Sequence, residues 1–179
     1  MGRPVSAHSE IILAGSGGQG LILSGILLAE AAMREGKNVV QTQSYGIASR
    51  GGLSLAEVIV DQDEIIFQQV RKPDCVLALT EEAAKKYESW AAKGVTLLYD
   101  STLAAARTEP HCIGIDFTRR ASELGNAGSV NILALAAVAA FTRVVNIASL
   151  ERLLRQRFRG PALELNLKLL AVGSELAAA

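Results

Sequence analysis

The sequence predicts an α/β domain of three layers, with a mostly parallel sheet, an inserted hairpin and a helical cap at the C-terminal end. Three observations lead there. Short apolar runs alternate with longer helix-patterned stretches, a glycine cluster separates the first run from the first helix, and the last third reads as helix throughout.

Ile11-Ile12-Leu13-Ala14 is an apolar run that stops at glycines, as a buried parallel strand does. Residues 20–34 are apolar nearly all round, and Glu30, Arg34 and Glu35 gather before Gly36, the pattern of a buried helix with a glycine stop. Residues 37–43 supply a second strand, completing a strand, turn, helix and strand unit with a right-handed crossover. Residues 53–60 read as another strand. Asp61-Gln62-Asp63 is a polar turn, and Glu64-Ile65-Ile66-Phe67 is the expected return strand of a hairpin.

Residues 75–79 form a compact buried strand. Thr80, followed by Glu81 and Glu82, starts a helix that runs through Trp90 and ends at Gly94. Residues 95–99 and 111–117 are two more strands. Residues 131–142 are apolar all round, Ser149 is the expected cap of a helix presenting Leu150, Leu153, Leu154 and Phe158, and Pro161 opens a last helix ending near Leu176. The whole is Rossmann-like. Residues 1–9 are expected to be a flexible N-terminus and residues 10–179 a single domain.

Composition narrows the function. Lys plus Arg and Asp plus Glu both number 18, with no basic cluster, so a nucleic-acid partner is not expected. Residues 11–29 carry no charge and approach the ~20 residues of a membrane span, but Gly15, Gly17, Gly18, Gly20 and Gly25 interrupt them. No membrane association is expected. Residues 1–10 lack the basic stretch and cleavage pattern of a secretory signal, which makes a cytoplasmic location the expectation. Cys75 and Cys112 stand apart without C-x-x-C spacing, so neither a metal nor an iron–sulfur cluster is expected in this chain.

Two segments are candidate sites. Gly15-Ser16-Gly17-Gly18-Gln19-Gly20 has G-x-G-x-x-G spacing between a strand and a helix, where backbone N–H groups can meet a phosphate. The glycines admit a second reading, in which they only let the helix pack tightly on the strand. An NAD site would need an acid at the end of the second strand, and Gln41 and Gln43 stand there instead. Valine at Gly17 is expected to block close approach and destabilise the turn. The second segment is the loop after the second strand, with Ser44, Tyr45, Gly46, Arg50, Gly51 and Gly52 placed to line one crevice with the glycine turn. Arg50 offers a guanidinium to a phosphate or to a partner carboxylate. Neither His8 nor His111 has a nucleophile or metal partner in the sequence, and no catalytic residue is identified.

Taken in order, Ile12-Leu13-Ala14 with the glycine turn, Gln43-Ser44-Tyr45-Gly46 with Arg50-Gly51-Gly52, and Lys72-Pro73-Asp74 before an apolar strand make a composite signature. It resembles the gamma subunit family of the 2-oxoacid:ferredoxin oxidoreductases acting on pyruvate, 2-oxoisovalerate or 2-oxoglutarate. Ala121, Leu124-Gly125-Asn126, Asn131, Glu164-Leu165-Asn166 and Gly173 resemble its later motifs. The resemblance implies an oxidoreductase complex that decarboxylates a 2-oxoacid, joins the acyl group to coenzyme A and passes electrons to ferredoxin. It implies alpha, beta and ferredoxin-like partner subunits that carry thiamine diphosphate and iron–sulfur clusters. This chain would hold no cofactor, would not be catalytic alone, and would contribute assembly and part of the coenzyme A approach. One position departs from the pattern: Ala48 stands where the family often has an acid two residues before the arginine. The alternative is a free-standing nucleotide- or coenzyme-A-binding module.

Overall fold

In the computed structural model, residues 8–45 and 52–176 are described. β1 (His8–Ser16), β4 (Cys75–Ala78), β5 (Thr96–Asp100) and β6 (Cys112–Ile115) form a parallel array, and β2 (Asn38–Tyr45) and β3 (Leu53–Asp61) complete a six-stranded sheet of order β2-β3-β1-β4-β5-β6. β3 runs antiparallel to both its neighbours, lying between β1 and β2. Five strands therefore point one way and one is inserted against them.

The expected hairpin of residues 53–60 with 64–67 does not form; β3 pairs instead with the preceding strand, β2. Glu64-Ile65-Ile66-Phe67 is not a strand. An apolar triplet reads as strand from composition, yet these residues have no strand to pair with. β1 begins at His8, inside the stretch 1–9 expected to be flexible, and Ser9 is buried opposite Val60.

The helices divide unequally over the two faces. α2 (Glu81–Ala91) covers one face, burying Ala83, Ala84, Tyr87 and Ala91 against Ile12, Ala14, Val76 and Leu97. The other face carries α1 (Leu21–Arg34), α3 (Phe117–Glu123), α4 (Val130–Thr142), α5 (Ile147–Arg157) and α6 (Gly160–Leu176) over Ile11, Leu13, Val58 and Leu77. α3 was not expected, because Phe117 reads as the end of a strand; it is instead the fully buried first residue of this helix. α5 starts two residues before the expected cap. Asn146 precedes it, its N–H and Nδ2 donating to Glu35 Oε1 at 2.7 and 3.1 Å, while Ser149 is buried within the helix.

α4 explains its own composition. Residues 130–139 are all buried, so it has no polar face to show. It is the central helix of its layer, and α6 lies along it at a distance set by Gly173, where a Cβ would stand 2.1 Å from the Leu133 carbonyl oxygen. Arg157 ties α5 to Glu30 of α1 at 2.8 Å, and Arg155 pairs with Glu151 on the helix surface.

At the amino edge of the sheet, Glu10 organises a long loop. Its Oε2 accepts from the N–H groups of Arg71 and Lys72, both at 2.7 Å, and its Oε1 lies 3.2 Å from His8 Nε2. His8 Nδ1 is 2.6 Å from Asp61 Oδ2. The Glu10 N–H donates to Asp74 Oδ2, and the Asp74 N–H returns to the Glu10 carbonyl. The Lys72-Pro73-Asp74 motif is thus the clasp that sets β4 beside β1.

Burial raises the Glu10 carboxyl, but the Lys72 and Arg71 N–H groups outweigh it and hold the pKa below its ordinary 4.5. His8 is raised above 6.5, chiefly by its hydrogen bond to Asp61. The signs follow from linkage. The Glu10 contribution is complete above 4.5 and fades as pH falls through its lowered value. The His8 contribution is complete below 6.5 and fades as pH rises through its raised value. Glu10→Ala is expected to cost about 2 kcal/mol, because two N–H groups lose their acceptor. Melting followed against pH should show the wild type losing more stability than the variant on acidification; equal losses would show that Glu10 is not the group involved.

Candidate functional site

The carboxyl edge of the sheet gathers the ends of β1, β2, β4, β5 and β6. At its middle, β1 passes through the glycine turn into α1. Gln19 holds the turn: its Oε1 accepts from the Ser16 N–H at 2.8 Å and its Nε2 donates to the Leu79 carbonyl at 3.1 Å. This side chain lies where a Cβ on Gly15 would be, 2.3 Å from its oxygen. Gly20 is the residue before α1 and adopts a left-handed conformation at φ 73°. A Cβ there would stand 2.6 Å from Asn131 Nδ2, which itself donates to the Gly20 carbonyl at 3.3 Å.

Gly17 differs from the expectation. It is exposed, and a Cβ added to it meets nothing within 4 Å. The steric demand falls on Gly15 and Gly20, and Gly18 is required for its φ of 89°. Close packing accounts for two of the four glycines, Gly15 against the Gln19 side chain and Gly20 against Asn131 of α4, while Gly17 and Gly18 face outward from the turn.

α1 starts without a side-chain cap and without an acid in its first turn. α4 starts in the same way, and its second residue is the Asn131 that touches Gly20. Ser24 Oγ donates to the Asn131 carbonyl at 3.3 Å, locking the two helices together at their amino ends. α4, however, continues a short 3-10 turn at Ala127–Ser129 that Asn126 caps by accepting from the Gly128 N–H, so the uncapped positive terminus beside the exposed glycines is that of α1, an arrangement favourable to an anion. α2, by contrast, is capped by Thr80, which accepts from Ala83 N–H, and carries Glu81 and Glu82 in its first turn. Asn131 escaped the sequence reading as a site residue. Its signal was a polar side chain at the second position of an otherwise apolar helix, which must find a partner when buried.

Ser44 is exposed and pairs with Leu55, which pairs with Ala14. The backbone of Tyr45 is level with Ser54 and Gly15. Both thus reach the same edge as the glycine turn, but β3 sets them two strand spacings, about 10 Å, from β1. The interposed strand also removes the position from which an acid would reach a ribose bound at the turn. Gly52 precedes β3 and is half-buried; Gly46, Arg50 and Gly51 lie outside the described residues.

Further along the edge, Asp100 is fully buried and accepts from the N–H groups of Thr102 and Thr118 and from Thr118 Oγ1. The Thr102 bond shapes the turn after β5, and the two from Thr118 fasten the start of α3 to the end of that strand. Beside it is an open cavity of about 400 Å³ lined by Ser101, Thr102, Gly114, Asp116 and Arg119. Burial raises the Asp116 carboxyl, and Arg120 and Arg119 more than reverse that, leaving it lowered. Cys75 belongs to the larger core and Cys112 packs against the smaller one, on opposite faces of the sheet. Among the described residues no group of three His, Cys, Asp or Glu side chains could hold a metal, and no helix is long and apolar enough to cross a membrane.

The sequence profile of the family described as pyruvate ferredoxin/flavodoxin oxidoreductase matches residues 10–176. The chain is 40% identical over 168 residues to the 2-oxoglutarate synthase subunit KorC of Archaeoglobus fulgidus, covering 93% of this chain and 87% of that one. It superposes on the gamma subunit of a keto/oxoacid ferredoxin oxidoreductase from Geobacter sulfurreducens with a TM-score of 0.84 at 37% identity, over 97% and 98% of the two chains. A longer relative, the ketoisovalerate oxidoreductase subunit VorA of Methanothermobacter thermautotrophicus, is 29% identical over 97% of this chain, which spans 37% of VorA.

Proposed function

This chain belongs to the pyruvate ferredoxin/flavodoxin oxidoreductase family, and from that membership we propose that it is the gamma subunit of a cytoplasmic 2-oxoacid:ferredoxin oxidoreductase. The observation that carries the proposal is likeness along nearly the whole chain to a separate gamma subunit in sequence and fold together. The 2-oxoglutarate type is favoured, because KorC at 40% identity is a 2-oxoglutarate synthase subunit. In this reading alpha, beta and ferredoxin-like subunits carry thiamine diphosphate and iron–sulfur clusters, ferredoxin takes the electrons, and this chain contributes no reacting group.

The proposed contribution of Gly15, Ser16, Gly17, Gly18, Gln19 and Gly20 is to receive a phosphate of coenzyme A. The uncapped start of α1 supplies the field, and the outward Gly17 leaves room for close approach. Ser44, Tyr45, Gly46, Arg50, Gly51 and Gly52 are proposed to meet a partner subunit at the same edge. Gly17→Val tests the cradle cleanly. Its melting temperature is expected to stay within about 2 °C of the wild type, since nothing opposes the side chain. In the assembled complex its KM for coenzyme A should rise about tenfold or more while the KM for the 2-oxoacid is unchanged. An unchanged KM for coenzyme A would remove this role from the turn.

A further inference from the structure

The loop between β3 and β4 contradicts its own composition. Ile66 is 80% exposed and Phe67 is 59% exposed, among the largest apolar exposures on the described surface. Scattered exposed apolar residues are ordinary, but these are adjacent and held up by a built scaffold. On the incoming limb, Asn38 Nδ2 donates to the carbonyls of Gln62 and Asp63 at 3.2 and 3.0 Å. On the outgoing limb, the largely buried Glu10 carboxylate takes both the Arg71 and Lys72 N–H groups. At the tip, the Arg71 guanidinium lies 3.8 Å over the Phe67 ring. A loop clamped at both ends, with its two largest apolar side chains in water and a cation stacked on one of them, has the composition of a binding hot spot: an aromatic and an arginine presented rigidly.

We infer that this loop is the knob by which the chain docks onto its large partner subunit, the one corresponding to the remainder of VorA. The inference rests on the subunit reading above and goes beyond it in naming the contact. In VorA the stretch matching this chain is 37% of a single polypeptide, so there the domain is covalently joined to a larger piece. A relative that carries the domain as a separate chain must hold the corresponding piece by its surface alone. The knob's chemistry specifies the receiving surface. It is an apolar pocket deep enough for Ile66 and Phe67, with a carboxylate on the rim facing Arg71, which gains strength when the contact excludes water. The knob stands at the amino edge of the sheet, opposite the glycine turn, so docking there leaves the proposed phosphate cradle open.

The test uses the whole complex. Tagged wild type, the double variant Ile66→Asp/Phe67→Asp, and Arg71→Glu are each expressed in the native cells, and partner recovery is measured over a dilution series. Both variants should melt like the wild type, since their side chains support no core. The double variant should bind the large subunit at least about a hundredfold more weakly and Arg71→Glu about tenfold more weakly. Wild-type affinity in the double variant would overturn the inference while leaving the subunit reading intact. A change confined to self-association of the isolated chain, read by sedimentation, would make a second copy the occupant and would also overturn it. Failure of the wild-type chain to bring down any thiamine-binding subunit would overturn the subunit reading and this inference together.

Discussion

Gly173→Ala is expected to lower stability by about 3 kcal/mol, a fall of roughly 6–12 °C in melting temperature for a chain of this size. The sign is what makes it informative. In an ordinary helix interior, alanine is preferred over glycine by about 1 kcal/mol, so the same change on a free face would stabilise. Here the new methyl would stand 2.1 Å from the Leu133 carbonyl oxygen and 2.8 Å from Ala136 Cβ. The first of these is backbone, which cannot rotate away, so α6 must move off α4. That contact anchors much of the larger core, because α4 is buried on every side through residues 130–139. Thermal melting of the single variant checks it. A stabilised or unchanged variant would mean that the two helices are not held at this separation.

Gly20→Val is expected to have an effect of similar size from two separate causes. A φ of 73° costs a side-chain-bearing residue about 1–2 kcal/mol, more for a β-branched one. The Cβ would also stand 2.6 Å from Asn131 Nδ2 and displace the bond from that amide to the Gly20 carbonyl. The two causes can be separated. Asn131→Ala removes the amide at 2.6 Å but keeps the Cβ at 3.1 Å and the backbone strain, so the double variant should recover part of the loss and leave about 1–2 kcal/mol or slightly more. Full additivity of the two substitutions would show that Gly20 and Asn131 do not meet. Unlike Gly17→Val, this change should disturb folding and coenzyme A dependence together.

Much of this architecture was legible in the residues. Thr80 with Glu81 and Glu82, Gly36 and Gly94 each mark a helix boundary by a local mechanism, and the structure places those boundaries where the mechanisms require. What sequence alone could not give was pairing. The run 53–60 reads as a strand, but nothing local says that it enters the sheet between β1 and β2, since strand order is decided by burial of whole faces. The same limit led Ile65-Ile66-Phe67 to be read as strand, because apolar content cannot distinguish a core element from a surface that a partner covers. The glycine turn was found as a motif, yet its working parts were not. Gln19 and Asn131 act through contacts 60 and 111 residues away in the chain, which no spacing rule contains. Ser149 reads as a cap, but the neighbouring Asn146 precedes the helix and is held by Glu35 from another part of the chain.

Recovery of the tagged chain from its native cells, followed by assay of what comes with it, tests the subunit assignment. The chain should arrive with thiamine- and cluster-containing subunits, and the preparation should reduce ferredoxin only when both a 2-oxoacid and coenzyme A are supplied, with 2-oxoglutarate the preferred acid. Recovery of the chain alone, carrying a nucleotide or coenzyme A and showing no such reduction, would contradict the account and identify a free-standing binding module.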